Sequence, residues 1–133
     1  MHQKEQLIAD LSELLGPKNV LTDATALSVY ECDAAPSFKA MPDVVVFADT
    51  AQQVSDIVKL ANKYETPFIA RGGGTGLSGG MLSVQGGIII ALNRMDRILE
   101  IDLENERAVV EPGVVNLLLT QAVQSKGLSL IHI

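Results

Sequence analysis

Aromatic side chains make up only 4% of this sequence, a single cysteine is present, and the two histidines sit at opposite ends of the chain. Each scarcity removes a class of function. With so few rings, the core must be built from Val, Ile, Leu and Ala. One cysteine, Cys32, rules out an internal disulfide and any metal site built on a cysteine pair, and reads as a small buried hydrophobe. His2 and His132 lie where chain ends fray, so a Ser-His-Asp or Cys-His arrangement is not expected. No cluster of Lys or Arg occurs, and the net charge is −6. Nucleic acid and anionic membrane both need a basic footprint, so neither is an expected partner. The longest central apolar run, Ile88 to Leu92, is far short of the roughly 20 residues that span a bilayer. The polar N-terminus lacks the apolar stretch of a signal peptide, which points to a cytoplasmic protein.

What is present is concentrated. Of the 11 glycines, eight fall between Gly72 and Gly87, within a segment from Thr66 to Asn93 whose only charged side chain is Arg71. Glycine permits positive φ and brings backbone N–H groups close to a ligand, so successive donors can line a concavity that accepts phosphate oxygens. The hydroxyls of Thr75 and Ser78 could assist. A flexible linker is the plain alternative, but linkers are padded with polar residues, whereas this loop is bounded by Phe68-Ile69-Ala70 and Ile88-Ile89-Ile90, which read as buried strands.

At 133 residues the chain is one domain's worth, large enough to bury roughly two thirds of its unfolded surface. Leu7, Ile8, Leu11, Leu14 and Leu15 predict a helix over 3–15 that ends at Gly16-Pro17. Val20-Leu21 reads as a short strand, Thr22 or Asp23 as the cap of a short helix, and Glu31 to Met41 as a surface loop. Val44 to Phe47 is a β-branched run of the kind buried on both faces. Thr50 and Gln53 form a capping box for a helix with the stripe Val54, Ile57, Val58 and Ala61. With Phe68 to Ala70 this makes a βαβ unit of parallel strands, and the glycine loop leaves the carboxyl end of its second strand, the edge where open α/β sheets bind ligands. Ile88 to Leu92 is a further strand. Ile98 to Asp102 and Arg107 to Glu111 form a hairpin whose acidic residues read as the wet face of a half-buried pair, with Leu99 and Ile101 inward. Val115 to Lys126 is a last helix, with Leu118, Leu119, Ala122 and Val123 inward and Gly127 at its end.

Gly74, Gly76 and Gly79 match G-x-G-x-x-G, with Asp96 about 20 residues on as the matching ribose acid. Context argues against a Rossmann loop, which opens directly into a helix; here two more glycines follow and a strand comes next. A P-loop fails because no Lys-Ser or Lys-Thr follows the glycines. The sequence R-G-G-G-T-G-L-S-G-G, followed by a hydrophobic strand, N-R-M-D-R-I-L-E-I-D and V-E-P-G-V, resembles the N-terminal half of the FAD-binding domain of the vanillyl-alcohol oxidase, or PCMH-type, flavoproteins. Within that group it is most similar to the glycolate oxidase subunit and D-lactate dehydrogenase branch, over the span from Tyr30-Glu31-Cys32-Asp33 to Gly127.

The resemblance implies a partial PCMH-type domain of α/β (α+β) class. Its parts are an N-terminal helix, a βαβ unit, the loop, an antiparallel hairpin and a C-terminal helix, with 1–41 as helices and loop, 42–127 as the cofactor-holding unit and 128–133 as an atypical tail. It implies FAD binding by Gly72, Gly73, Gly74, Thr75, Gly76, Ser78, Gly79 and Gly80, with Arg71 orienting the loop through a carboxylate. The position where some relatives carry a flavin-linked histidine is Thr75 here, implying non-covalent FAD. It further implies oxidation of a small D-2-hydroxy acid, glycolate or D-lactate, and other oxidase subunits as partners. The family's substrate domain, with its catalytic histidine and metal ligands, has no counterpart in the chain, so no catalytic or metal residue is assigned. The tail Leu128 to Ile133 does not resemble the family's continuation and reads as a truncated or mis-joined frame, with His132 accidental. On this reading the piece is inactive alone. A non-catalytic diphosphate-binding module and an inert fragment are the alternatives.

Overall fold

The computed structural model describes residues 2–130; His132 and the last part of the tail lie outside the described residues. Helix α1 (His2–Leu15) ends at Gly16, whose φ of 83° turns the chain into a 3-10 turn over Pro17–Asn19. Strand β1 (Val20–Leu21) follows, then the short helix α2 (Ala24–Ser28), whose N-terminus is capped by the Asp23 carboxylate accepting from the Ala26 N–H. After an irregular segment come β2 (Val44–Phe47), α3 (Ala51–Lys63) and β3 (Phe68–Arg71). The Thr50 hydroxyl accepts from the Gln53 N–H, and the Gln53 side chain reaches back to the Asp49 N–H, one residue before the cap. Two donors at the helix start are thereby satisfied.

The glycine loop connects β3 to β4 (Ile88–Ala91), and the sheet order is β1-β2-β4-β3. The βαβ strands β2 and β3 are thus parallel, as expected, but they are not neighbours. β4 lies between them and pairs in parallel with both, Val45 and Ile69 each opposite Ile89. That placement explains the composition of β4, since a central parallel strand meets side chains on both faces. All four of its residues are buried. One face of the sheet, Val44, Val46, Ile88 and Ile90, packs on Leu7, Leu11 and Leu15 of α1 and Ile57 and Ala61 of α3. The opposite face, Val45, Ile89 and Ala91, packs on Leu27, with Tyr30, Phe47 and Ile69 at its margin. Burial of each such aliphatic side chain is worth about 1.5–3 kcal/mol.

Strands β5 (Ile98–Asp102) and β6 (Arg107–Val110) form a separate two-stranded sheet with an irregularity at Leu99. The expected inward face is not buried: Leu99 is 56% and Ile101 38% exposed. Alternation predicts which residues share a face; burial needs something to cover that face, and here the helix over Asn116–Val123 stands off Ile101 across a cavity and leaves Leu99 uncovered. Helix α4 (Asn116–Val123) departs in the same way. Of its expected inward residues Val123 is buried, whereas Leu118 and Ala122 are exposed and Leu119 is half-buried. Gly127 ends the following turn with φ 74°, the left-handed conformation expected of a helix-ending glycine.

Glu111 also departs from the wet-face reading. It is buried and grips Arg97 three times, accepting from the backbone N–H at 2.9 Å, Nε at 3.1 Å and Nη2 at 2.7 Å. These bonds hold its carboxyl below the usual carboxylate range. A folded-state pKa below the unfolded value gives stability that is present above about pH 4.5 and is lost as pH falls through the folded value. Glu111→Gln is therefore expected to destabilise the chain at pH 7, by a gap that narrows at pH 3, in paired denaturant melts. An equal gap at both pH values would show that the carboxylate charge is not what stabilises this turn.

Candidate functional site

The loop begins at the carboxyl edge of the parallel strands, where Ala48 N donates to Ala91 O and Leu92 N donates to Arg71 O. From Gly72 to Gly80 it adopts no helix or strand. Arg71 shapes its start. Nη1 of the guanidinium donates to the Cys32 carbonyl at 2.9 Å, and its carbon lies 5.4 Å from the centre of the Tyr30 ring, a cation–π distance. Arg71 therefore orients the loop through a carbonyl and a ring and not through a carboxylate. Cys32 serves through its main chain, and its side chain is half-buried rather than fully enclosed.

The segment that read as a surface loop supplies the rest of the support. Asp33 is 8% exposed; one carboxylate oxygen accepts from Ala35 N at 2.8 Å, and the other accepts from Gly79 N at 2.9 Å. Ala34 N donates to Gly76 O at 3.1 Å. Sequence reasoning missed Asp33 as a loop support. Its signal was that the family likeness begins at Tyr30-Glu31-Cys32-Asp33, ahead of any predicted strand or helix of the site.

With Gly79 N–H engaged by Asp33, the N–H groups of Gly73, Gly74, Thr75, Gly76, Leu77, Ser78 and Gly80 have no acceptor among the described residues, and neither do the Thr75 and Ser78 hydroxyls. Thr75, Leu77, Ser78 and Gly80 are exposed, so water satisfies these groups at no cost. The same donors are open to an anion, which no side-chain cation in the loop is free to hold.

The glycines divide by what requires them. At Gly74, φ is +76° and a Cβ would stand 2.6 Å from Nη2 of Arg71; at Gly79, φ is +71°. At Gly76 a Cβ would meet only the flexible end of Met81. Gly87 and Gly113 are closed by backbone, with Pro67 O 2.1 Å and Leu92 O 2.4 Å from the ideal Cβ. Gly72, Gly73 and Gly80 are different. None has φ in the left-handed region, and a Cβ would meet nothing nearer than 3.8 Å at Gly72, 3.9 Å at Gly73 and nothing within 4 Å at Gly80. The fold does not require glycine at these three positions. A Cβ there would project into open space beside the free N–H groups, the space in which a group lying against the loop would sit.

A cavity of about 330 Å³ lies away from the loop, between the hairpin and the end of α4. No helix among the described residues is long and apolar enough to cross a membrane.

Residues 42–132 match a family of FAD binding domains. Over 125 residues the chain is 39% identical to glycolate oxidase subunit GlcD of Bacillus subtilis, an alignment covering 94% of this chain and 26% of the relative. D-2-hydroxyglutarate dehydrogenase of Stutzerimonas stutzeri is 37% identical, over 92% of this chain and 26% of the relative. The chain thus spans about a quarter of the length of these curated relatives. Among solved structures, p-cresol methylhydroxylase superposes with a TM-score of 0.82 at 31% identity, over 96% of this chain and 26% of that one. FAD is the family's cofactor, and Thr75 stands in this loop at the position where a flavin-linked histidine is the alternative expected from the resemblance. The chain belongs to the PCMH-type FAD binding domain family of flavin oxidoreductases, related to glycolate oxidase and the D-lactate and D-2-hydroxyglutarate dehydrogenases.

Proposed function

We propose that the loop from Gly72 to Gly80 holds the FAD diphosphate, in a flavin oxidoreductase that oxidises a small D-2-hydroxy acid such as glycolate or D-lactate. Gly72, Gly73 and Gly80 let the diphosphate approach the main chain. The N–H groups of Gly73, Gly74, Thr75, Gly76 and Gly80 and the hydroxyls of Thr75 and Ser78 donate to its oxygens, and Gly79 sets the turn that presents them. The observation that carries this reading is the trio of glycines unneeded by the fold, beside a row of unspent donors, in a chain of an FAD-binding family.

The bound flavin supplies the redox chemistry by accepting a hydride, while the protein supplies position and electrostatics. Residues 42–127 form the diphosphate-holding unit, flanked by the helices of 1–41. Substrate contacts belong to parts of the relatives' length that this chain does not span, so we expect the chain alone to be inactive. The names of the relatives support a 2-hydroxy acid as the substrate class and other oxidase subunits as partners.

Titration of the purified chain with FAD, followed by flavin fluorescence, tests the cofactor assignment; the chain has no tryptophan to interfere. Expected are saturable FAD binding, weaker competition by ADP, and no turnover of glycolate or D-lactate with a dye acceptor. A preference for ADP or NAD over FAD would favour a non-catalytic diphosphate-binding module and sink the flavin reading.

A further inference from the structure

We infer that Asp33 is a positioning residue whose buried carboxylate holds the glycine loop in its anion-accepting form, an inference that rests on the function proposed above. The segment from Tyr30 to Ala34 grips the loop at three separated points. The Tyr30 ring and the Cys32 carbonyl fix Arg71, Ala34 N–H fixes the Gly76 carbonyl, and Asp33 fixes Gly79 N–H at 2.9 Å across 46 residues of sequence. Between these points lie the free donors from Gly73 to Ser78.

A carboxylate next to a loop that receives a diphosphate is electrostatically adverse, so its presence needs a reason. An ionised Asp accepts at both oxygens and donates at neither. Here both oxygens are used, one by Ala35 N–H and one by Gly79 N–H, and the side chain is out of water. Asparagine offers one acceptor and would turn an N–H donor toward the other N–H. Ordering an irregular segment costs about 1–2 kcal/mol per residue in backbone entropy. A loop ordered before the cofactor arrives has met that cost already, which raises affinity. Asp33 acts through the loop, both of its oxygens being engaged by main-chain N–H groups.

The same contact could instead mark Asp33 as a stand-in anion that the cofactor displaces from Gly79. The two roles predict opposite signs. If Asp33 positions the loop, removing it weakens FAD binding; if it competes, removing it strengthens binding.

The test compares the unaltered chain, Asp33→Ala and Asp33→Asn by FAD titration and by limited trypsin digestion, since Arg71 lies at the start of the loop and Lys63 ends α3. Loss of two charge-assisted bonds is expected to make Asp33→Ala bind FAD about tenfold more weakly and be cut after Arg71 about tenfold faster. Cleavage after Lys63 should not change, which separates a loosened loop from general unfolding. Asp33→Asn, keeping one acceptor, should recover part of both effects. Unchanged cleavage after Arg71 in Asp33→Ala, or tighter FAD binding, would overturn the inference. If the unaltered chain takes up no FAD, the function proposed above fails, and the cleavage pattern alone decides whether Asp33 orders the loop.

Discussion

Replacing Gly80 with alanine is expected to make the chain more stable and, at the same time, to strip it of FAD. The two effects have separate causes. At Gly80 the backbone is outside the left-handed region and an added Cβ meets nothing within 4 Å, so the native conformation admits alanine without strain. Alanine also narrows the unfolded ensemble, an effect worth about 0.4–1 kcal/mol of added stability where the native φ and ψ suit it. Binding goes the other way. If the diphosphate lies against the loop, the methyl group holds it off the N–H row. Losing two hydrogen bonds to a charged group at about 1.5–3 kcal/mol each lowers affinity by roughly a hundredfold or more. Gly73→Ala should behave alike, its Cβ lying 3.9 Å from Thr75 Cγ2. Thermal melts and flavin titrations on the same samples check both signs. Normal FAD affinity in both variants would remove the diphosphate from this face of the loop. Gly74 is a poorer probe, although it sits mid-loop, because a Cβ there would collide with Arg71 at positive φ and disturb the loop whether or not a ligand binds.

Gly87→Ala is expected to prevent folding altogether. Gly87 is where the chain leaves the loop and enters the central strand between its two neighbours. Its carbonyl accepts from Asp43 N at 2.9 Å and Val44 N at 3.2 Å, its N–H donates to the Asp43 carboxylate at 2.6 Å, and the next residue, Ile88, donates to Pro67 O at 2.8 Å. An alanine Cβ would stand 2.1 Å from that same Pro67 oxygen, with φ at +85°. Overpacking costs about 1–3 kcal/mol where side chains can yield. A backbone carbonyl in a sheet cannot yield without breaking the register of β3 on β4, and the left-handed φ adds about 1–2 kcal/mol. These two terms alone reach about 2–5 kcal/mol, and the broken pairing of β3 on β4 adds to them, which brings the loss within the roughly 5–15 kcal/mol by which whole domains are stable. Circular dichroism and a urea titration should show no cooperative transition. A cooperative transition within about 1 kcal/mol of the parent would mean that Pro67 and Gly87 can separate at little cost.

Much of the sheet and its helices was legible because local signals and tertiary demands agree. Val44 to Phe47 and Ile88 to Ala91 are continuous apolar runs because both strands are covered on both faces. Thr50 and Gln53 fix the start of α3 through their own side chains, which involves no distant partner. The glycine loop was legible from composition, and its place at the carboxyl edge followed from the strand before it. Strand order was not, because pairing β4 between β2 and β3 depends on contacts between residues far apart in sequence. The apolar faces of β5 and α4 were read as inward because alternation and helical spacing reveal which residues share a face and are silent on whether that face is covered. Asp33 and the Cys32 carbonyl escaped notice for a related reason. A carboxylate that caps a distant main-chain N–H carries no local pattern, and a carbonyl carries no sequence signal at all.

The order β1-β2-β4-β3 has a consequence for how the chain is made. Synthesis runs from the N-terminus, so β2, α3 and β3 leave the ribosome before the strand that joins them exists. Until Ala91 has emerged, β2 and β3 each present an unpaired inner edge, the kind of edge that recruits strands from other chains. The sixteen residues from Gly72 to Gly87, with a single charge just before them and eight glycines among them, are poor at forming strands of their own. While they are being added, β2 and β3 still lack the partner they share, and the segment produced during that wait is one poorly suited to pair with either.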